Sequence, residues 1–410
     1  MRLLIGILAA ALQTPPAPEP ARVVREYAPL LTDERHALRA RDLLVHAGEP
    51  ALALLERQGV DASLLQDLRE EAAALQGLGD AYRPPRRFTF DGREETLGHY
   101  LGRLEEAAGI TFQKQTVDLS RKVALSVKDA SFWETLDILC RQAQVLYYPS
   151  AVDQLYLNPG ILPDKPKSFY GPFMITLDRF LLRRRVLFSR TETQFTARIH
   201  CVWEPSLAPL GLSPDGVRFA RAADGQGRSA LLPADGAAPS SSAPTGGGPL
   251  LFEFVDAGGI RLPEGPRPRF AVLEGFLRLE FPSRLLTASF PGPLEAAPAA
   301  RALEDVTVEL RSCAARGGSQ VTADLALLFP DEKTAAAYRL SPRSLSFRDA
   351  SGRRLPAYLQ GSRLERNALL FTARCYGLTQ AADLKEIAVT VPRGRVPLDV
   401  PFRFADVEVQ

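Results

Sequence analysis

The feature that most constrains this chain is an internal repeat in its second half. The run QFTARI (194–199) parallels QVTADL (320–325), and Trp203 then falls opposite Phe329. LSP (212–214), followed by Val217-Arg218-Phe219, parallels LSP (340–342), followed by Leu345-Ser346-Phe347. Asp224 with Gly225-Gln226-Gly227-Arg228 parallels Asp349 with Ser351-Gly352-Arg353, and LRLEFPSR (277–284) parallels AVTVPRGR (388–395). The offset is about 125 to 128 residues early in the repeat and about 110 at its end. Two copies of one supersecondary plan are therefore expected. The runs alternate apolar and polar residues and are punctuated by Pro, Gly and Asp-Gly, which reads as antiparallel strands.

The difference in offset has a home. Residues 234–249, ADGAAPSSSAPTGGGP, form a low-complexity stretch that composition alone would make a linker. The repeat places strands of one copy on both sides, so it is expected to be a long loop inside the first copy. The fold class expected is α+β multidomain. It comprises N-terminal helices, a small α/β module and two tandem antiparallel β-sandwich domains at 170–290 and 295–410. Each sandwich should have some seven short strands and its own core, and should resemble the immunoglobulin-like class without its Cys…Trp…Cys pattern. The first core should hold Phe195, Ile199, Trp203 and Phe219, and the second Val321, Leu325, Phe329 and Phe347. The segment near Pro291, Pro293 and Pro298 should be an exposed linker.

Ahead of the repeat, residues 22–80 read as helical. Leu38, Leu43, Leu44, Leu52, Leu55, Leu64, Leu65, Leu68, Ala72 and Leu75 recur mostly at three- and four-residue steps. Gly48 and Gly59 suit helix ends, Pro50 a first turn and Asp61 an N-cap, which predicts helices near 33–47, 50–58 and 61–76. Residues 86–158 then read β-α-β-β-α-β-β. The strands are Phe88-Thr89-Phe90, 110–112, 123–127, 145–148 and 155–157. The helices are at 94–108, ending at Gly109, and after Ser131, with Phe132, Leu136, Leu139 and Cys140 on one side. Two one-sided helices should cover one face of a small sheet.

This string resembles the short N-terminal domain of secretins and TonB-dependent receptors. The cues are a helix ending AAGI (107–110), the strand VALSVKDAS (123–131) and the helix FWETLDILCRQAQV (132–145). The resemblance covers about 70 of the 410 residues. It implies a periplasmic signalling or docking module without catalysis. The barrel strands of full-length members do not follow it here.

At the start, residues 3–12 form an apolar run after Arg2, and Ala9-Ala10-Ala11 offers small residues for cleavage. Thr14-Pro15-Pro16 and Pro18 follow. This reads as a signal peptide over 1–13, implying a periplasmic or otherwise extracytoplasmic location. At about 20 residues per membrane span, the run is too short to cross a bilayer as a mature helix, so no transmembrane segment is expected in the mature chain. With 50 Lys and Arg against 48 Asp and Glu, the net charge of +2 gives no support for nucleic acid as a partner.

No residue set carries recognisable chemistry. Cys140, Cys201, Cys313 and Cys375 lack CxxC spacing and read as free apolar thiols. His36, His46, His99 and His200 show no i, i+4 pair on one helix, and no G-x-S-x-G elbow occurs; Gly317-Gly318-Ser319 reads as a turn. Glu94-Glu95 and Glu105-Glu106 read as helix-end charges. Asp224 and Asp349 read as hairpin turns rather than calcium loops. Arg183-Arg184-Arg185 reads as a solvated strand end, and Trp203-Glu204-Pro205 as a core Trp before a turn. Catalytic, cofactor-binding and metal residues are accordingly expected to be none, with no cofactor. The function expected is an exported non-enzymatic envelope binding or scaffold protein acting through protein–protein contacts, with envelope proteins as partners. Two alternatives stand beside it: an accessory component of a secretin or TonB-type system docking through 86–158, and a sandwich-loop enzyme or glycan-binding module. The enzyme version would need two facing carboxylates and an aromatic in one pocket.

Overall fold

The computed structural model describes residues 19–114, 116–151, 154–186, 191–204, 207, 209–232, 252–265, 267–338 and 344–409. The apolar run 3–12 and the low-complexity stretch 234–249 lie outside the described residues. The chain is mixed α+β, with mostly antiparallel sheets. Among the described residues, no helix is long and apolar enough to cross a membrane.

Among the described residues four α-helices come first: α1 (Pro20–Tyr27), α2 (Ala37–Ala47), α3 (Glu49–Arg57) and α4 (Ala62–Gly77). The Asp61 side chain caps α4 by accepting from the backbone N–H groups of Ser63 and Leu64. Three of these are the helices read from periodicity. α1 was not anticipated: Pro20 starts it at a position where a missing N–H costs nothing. Val23, Val24, Leu43, Leu44, Leu52, Leu55, Leu65 and Leu68 are buried.

Next come β1 (Phe88–Thr96), α5 (Leu97–Ala108), β2 (Thr111–Gln113), β3 (Lys122–Ala130), α6 (Phe132–Ala143), β4 (Val145–Ala151) and β5 (Gln154–Pro159). The order is the expected one, with two corrections. Glu94 and Glu95 are not at a helix start. They pair in β1 with Ala124 and Val123, and the helix begins after Thr96, whose Oγ1 accepts from the His99 N–H. The expected single sheet is two: β1 pairs antiparallel with β3, while β2 lies parallel to β5, which pairs antiparallel with β4. Phe132, Leu136, Leu139 and Cys140 of α6 are fully buried.

The repeat region supplies β6 (Lys167–Tyr170), β7 (Phe173–Val186), β8 (Thr191–Trp203), β9 (Gly211–Asp224), β10 (Phe252–Ala257), β11 (Arg269–Phe281) and β12 (Arg284–Pro291). It continues with α7 (Pro293–Ala296), β13 (Ala299–Leu303), β14 (Val306–Arg316), β15 (Gln320–Leu328), α8 (Glu332–Ala337) and β16 (Leu345–Asp349). The last strands are β17 (Arg354–Leu355), β18 (Ala357–Glu365), β19 (Ala368–Cys375), β20 (Leu384–Arg393) and β21 (Val396–Glu408). One unit joins sheets β10-β8-β7-β6 and β21-β11-β9. The other joins β12-β20-β16-β17 and β13-β14-β15-β19-β18.

The strand pairing corrects the expected boundary at 290–295. LRLEFPSR and AVTVPRGR end β11 and β20, and the strand after each crosses to the other unit. β12 pairs with β20 along its whole length, and β21 pairs with β11. The last strands of the two copies are thus reciprocally exchanged. Ala288 and Phe290 enter the second core, while Leu398, Val400, Phe402 and Phe404 enter the first. The piece 295–410 therefore carries a strand of the first unit and lacks one of its own. The segment expected to be an exposed linker is α7, with Pro293 buried and Leu294 packed on the second core.

The cores divide the same way. Phe195, Ile199 and Trp203 are buried and Phe219 is half-buried in the first, and Val321, Leu325, Phe329 and Phe347 are buried in the second. The first core is continuous with the helices and with 88–159, so the segments expected as separate domains at 22–80, 86–158 and 170–290 share one apolar interior. Four short helices have too little area to bury alone.

Candidate functional site

An enclosed cluster of polar groups lies where α2, the 82–87 segment and the β6–β7 turn meet. Asp42 Oδ1 accepts from Arg87 Nη2 at 2.7 Å and from the Gly171 N–H at 2.9 Å, and lies 2.9 Å from His46 Nδ1. His46 Nε2 meets the Tyr82 hydroxyl. Gly171 has φ +51, and a Cβ there would strike the His46 ring. Burial alone would raise the Asp42 carboxyl, but Arg87 and His46 together hold it well below its ordinary value. Burial pushes Tyr82 well above the usual phenol range. Carboxylate, imidazole and hydroxyl stand in series, yet all are buried, and the hydroxyl end is covered rather than open to a substrate. The arrangement docks three elements onto one another.

Two further clusters do the same. Asp129 takes a bidentate pair of bonds from Arg22, each 2.9 Å, and one from the Tyr27 hydroxyl at 3.0 Å, fixing α1 to the end of β3. Asp137 of α6 accepts from Tyr147 at 3.0 Å and pairs with Lys167 and Arg141, tying α6 to β6.

The other residues weighed from sequence are dispersed. His36 is exposed and pairs with Asp33 at 2.9 Å, and His99 is exposed against Tyr100. His200 stacks on Phe254 with ring centroids 4.4 Å apart, and burial lowers it to about 4. Cys140, Cys313 and Cys375 are free thiols; burial pushes Cys313 up to about 11 and Cys375 to about 12, far from a reactive thiolate. Glu105 accepts from the Phe112 N–H at 2.7 Å and pairs with Lys114. Arg183 pairs with Asp256 at 3.1 Å. Trp203 and Glu204 are buried, and burial lifts the Glu204 carboxyl to about 8 against the pull of Arg87. Among the described residues, no three His, Cys, Asp or Glu side chains gather as a metal site.

Asp224 and Asp349 build the same turn twice. Asp224 Oδ1 accepts from the N–H groups of Gln226 and Arg228, each at 2.9 Å, and Oδ2 from Arg228 Nε at 2.7 Å. Asp349 accepts from Ser351 N at 2.9 Å, Arg353 N at 3.0 Å and Arg353 Nε at 2.9 Å. Gly227 and Gly352 both have φ +79. Their carboxylate oxygens are committed to their own turns.

Two surfaces remain. On the sheet β2-β5-β4, Tyr148 and Tyr156 stand directly opposite each other, about 45% and 44% exposed, with centroids 5.5 Å apart. Asn158 Nδ2 donates to the Tyr148 hydroxyl at 2.8 Å. β4 is one of the two edge strands of that sheet, β2 being the other. On the second unit, a groove of about 520 Å³ crosses β15, β19 and β18, lined by Arg316, Gln320, Thr322, Asp324, Gln360, Thr372 and Arg374. It holds one carboxylate. Asp324 accepts from Ser312 and Thr372, each at 2.7 Å, and these bonds hold it below its ordinary value. That is not the facing pair a glycosidase needs. Sequence reading missed the groove. Its one local signal is the polar alternation Gln320, Thr322, Asp324 along β15.

Compared with family models, curated proteins and solved structures, the chain matches none. The resemblance at 86–158 therefore rests on its residues alone.

Proposed function

We propose that the chain is a non-enzymatic binding or scaffold protein of the extracytoplasmic space, acting through protein–protein contacts. The observation that carries this reading is the Tyr148–Tyr156 pair beside the β4 edge. Two directly opposed exposed aromatics beside a sheet edge suit an added strand or an apolar anchor from a partner. The titratable clusters, by contrast, are spent on joining elements. The extracytoplasmic location rests on residues 3–12 and 14–18. The finer fold reading is that each two-sheet unit is an immunoglobulin-like β-sandwich, supported by the shared core of each sheet pair and the repeated Asp turn.

The test uses the full chain with a photo-crosslinking residue at position 148, expressed in its native envelope. A single defined adduct, lost when Tyr156→Ser is added, supports the reading. Adducts unchanged by Tyr156→Ser overturn it.

A second reading is favoured by the β-α-β-β-α-β-β order: docking of 86–158 to a secretin or TonB-type system. A pull-down should recover a secretin or an energy-transducing protein only when that segment is present. Equal recovery without it removes this reading.

A further inference from the structure

We propose that the groove across β15, β19 and β18 is a binding site for a carboxylate-bearing oligosaccharide. It lies on a different unit from the tyrosine pair, so it stands or falls apart from the protein-docking reading.

The register assembles it. Thr322 of β15 pairs with Arg374 of β19, which pairs with Tyr358 of β18. One step along, Asp324 pairs with Thr372, and an irregularity between Leu359 and Gly361 sets Gln360 at the rim. Arg316 and Gln320 close the hairpin end. The opposite face of β15, carrying Val321, Ala323 and Leu325, is in the core, so the groove residues face away from it.

Four observations select the ligand. First, the lining of the groove, about 520 Å³ in volume, is amide, hydroxyl, carboxylate and guanidinium. Such a surface rewards a hydroxyl-rich ligand and offers nothing to an apolar one. Second, Thr322 and Arg374 are direct cross-strand partners, so a hydroxyl and a guanidinium stand side by side in the groove lining. Third, Arg316 and Arg374 outnumber the single, already engaged Asp324, so one anionic group is favoured, and a guanidinium fork matches a carboxylate. Fourth, Tyr358 is about 41% exposed and stacks on Tyr376 at 5.1 Å, a braced ring at the rim for the apolar face of a sugar.

Competing ligands fit less well. A peptide strand would add along the β18 edge, whereas the groove runs across three strands. A nucleic acid would need more cations than two arginines offset by an aspartate. Among the described residues the first unit shows no counterpart: Thr196, which the repeat aligns with Thr322, is buried, and Arg198, aligned with Asp324, is tied to Asp256 at 2.7 Å.

The full chain is applied to an array of neutral, uronate-bearing and sialate-bearing oligosaccharides, with an acidic peptide as a further spot. Retention on carboxylated sugars, with their neutral counterparts at least tenfold weaker, is expected. Arg374→Gln and Thr322→Val should each weaken it about tenfold or more and Tyr358→Ala several-fold, with the thermal transition unchanged; Arg374→Lys should keep part of the affinity. No retained sugar, equal retention of neutral ones, retention of the acidic peptide alone, or indifference to both Arg374→Gln and Thr322→Val overturns the proposal.

Discussion

Arg278 and Asp399 form a bidentate ion pair across β11 and β21, with Nε–Oδ1 at 2.7 Å and Nη2–Oδ2 at 2.8 Å, although 121 residues separate them. The whole second unit lies between. Its strands leave the first unit after Phe281 and return to it at Val396, and Leu277 and Val400 meet beside the pair.

The exchange fixes which fragments can fold. Residues 284–393 contain both sheets and the whole core of the second unit, and should unfold cooperatively as an isolated piece. Residues 295–410 lack β12, and with it Ala288 and Phe290, and carry an unpartnered β21. That fragment should be unfolded or aggregated. Far-UV dichroism with a denaturant titration compares them; a cooperative 295–410 beside an unfolded 284–393 would reverse the assignment.

The two crossings touch. Gly394 has φ +66, and a Cβ there would collide with Ser283, whose Oγ donates to the Arg393 carbonyl at 3.0 Å. Gly394→Ala should destabilise by about 1–3 kcal/mol. Gly225→Ala, with open space around it, should cost under about 1 kcal/mol. Equal effects of the two in chemical denaturation would show that the crossing is not strained.

Leu136 is fully buried on α6 between Phe132 and Cys140. Leu136→Ala should destabilise by about 2–5 kcal/mol, the cost of a core cavity. Because the first core is shared, the loss should appear in one transition covering the helices, the 88–159 segment and the first unit. A separate early transition would mean that 88–159 folds by itself.

Glu204 sets a pH dependence. Burial raises its carboxyl from 4.5 to about 8 in the folded chain, so the native state holds a proton that the unfolded chain has released. This contribution is full below pH 4.5 and is lost as pH rises through about 8, at up to about 1.4 kcal/mol per unit. Glu204→Gln should flatten that decline and be more stable than the parent above pH 8. Melting temperatures from pH 5 to 9 check it, and parallel curves for the two proteins would exclude the mechanism.

What the sequence determined is local. The helix caps at Asp61 and Ser131 and the turns at Asp224 and Asp349 close their hydrogen bonds within a few residues, so their residue types are legible in any context. The β-α-β-β-α-β-β order was legible because the apolar period, two in strands and 3.6 in helices, is also local. The Glu94 helix start was misread because β1 wins those residues only through pairing with β3. Tertiary structure alone decided the rest. β12 and β21 both alternate, and alternation states which face is buried but not which strand lies alongside. The groove brings Thr322, Arg374 and Tyr358 together from three strands, and their adjacency exists only once the register is set. Asp42, Arg87 and Gly171 likewise meet only when the helices lie on the first unit, because charges buried apart would each be too costly to leave unpaired.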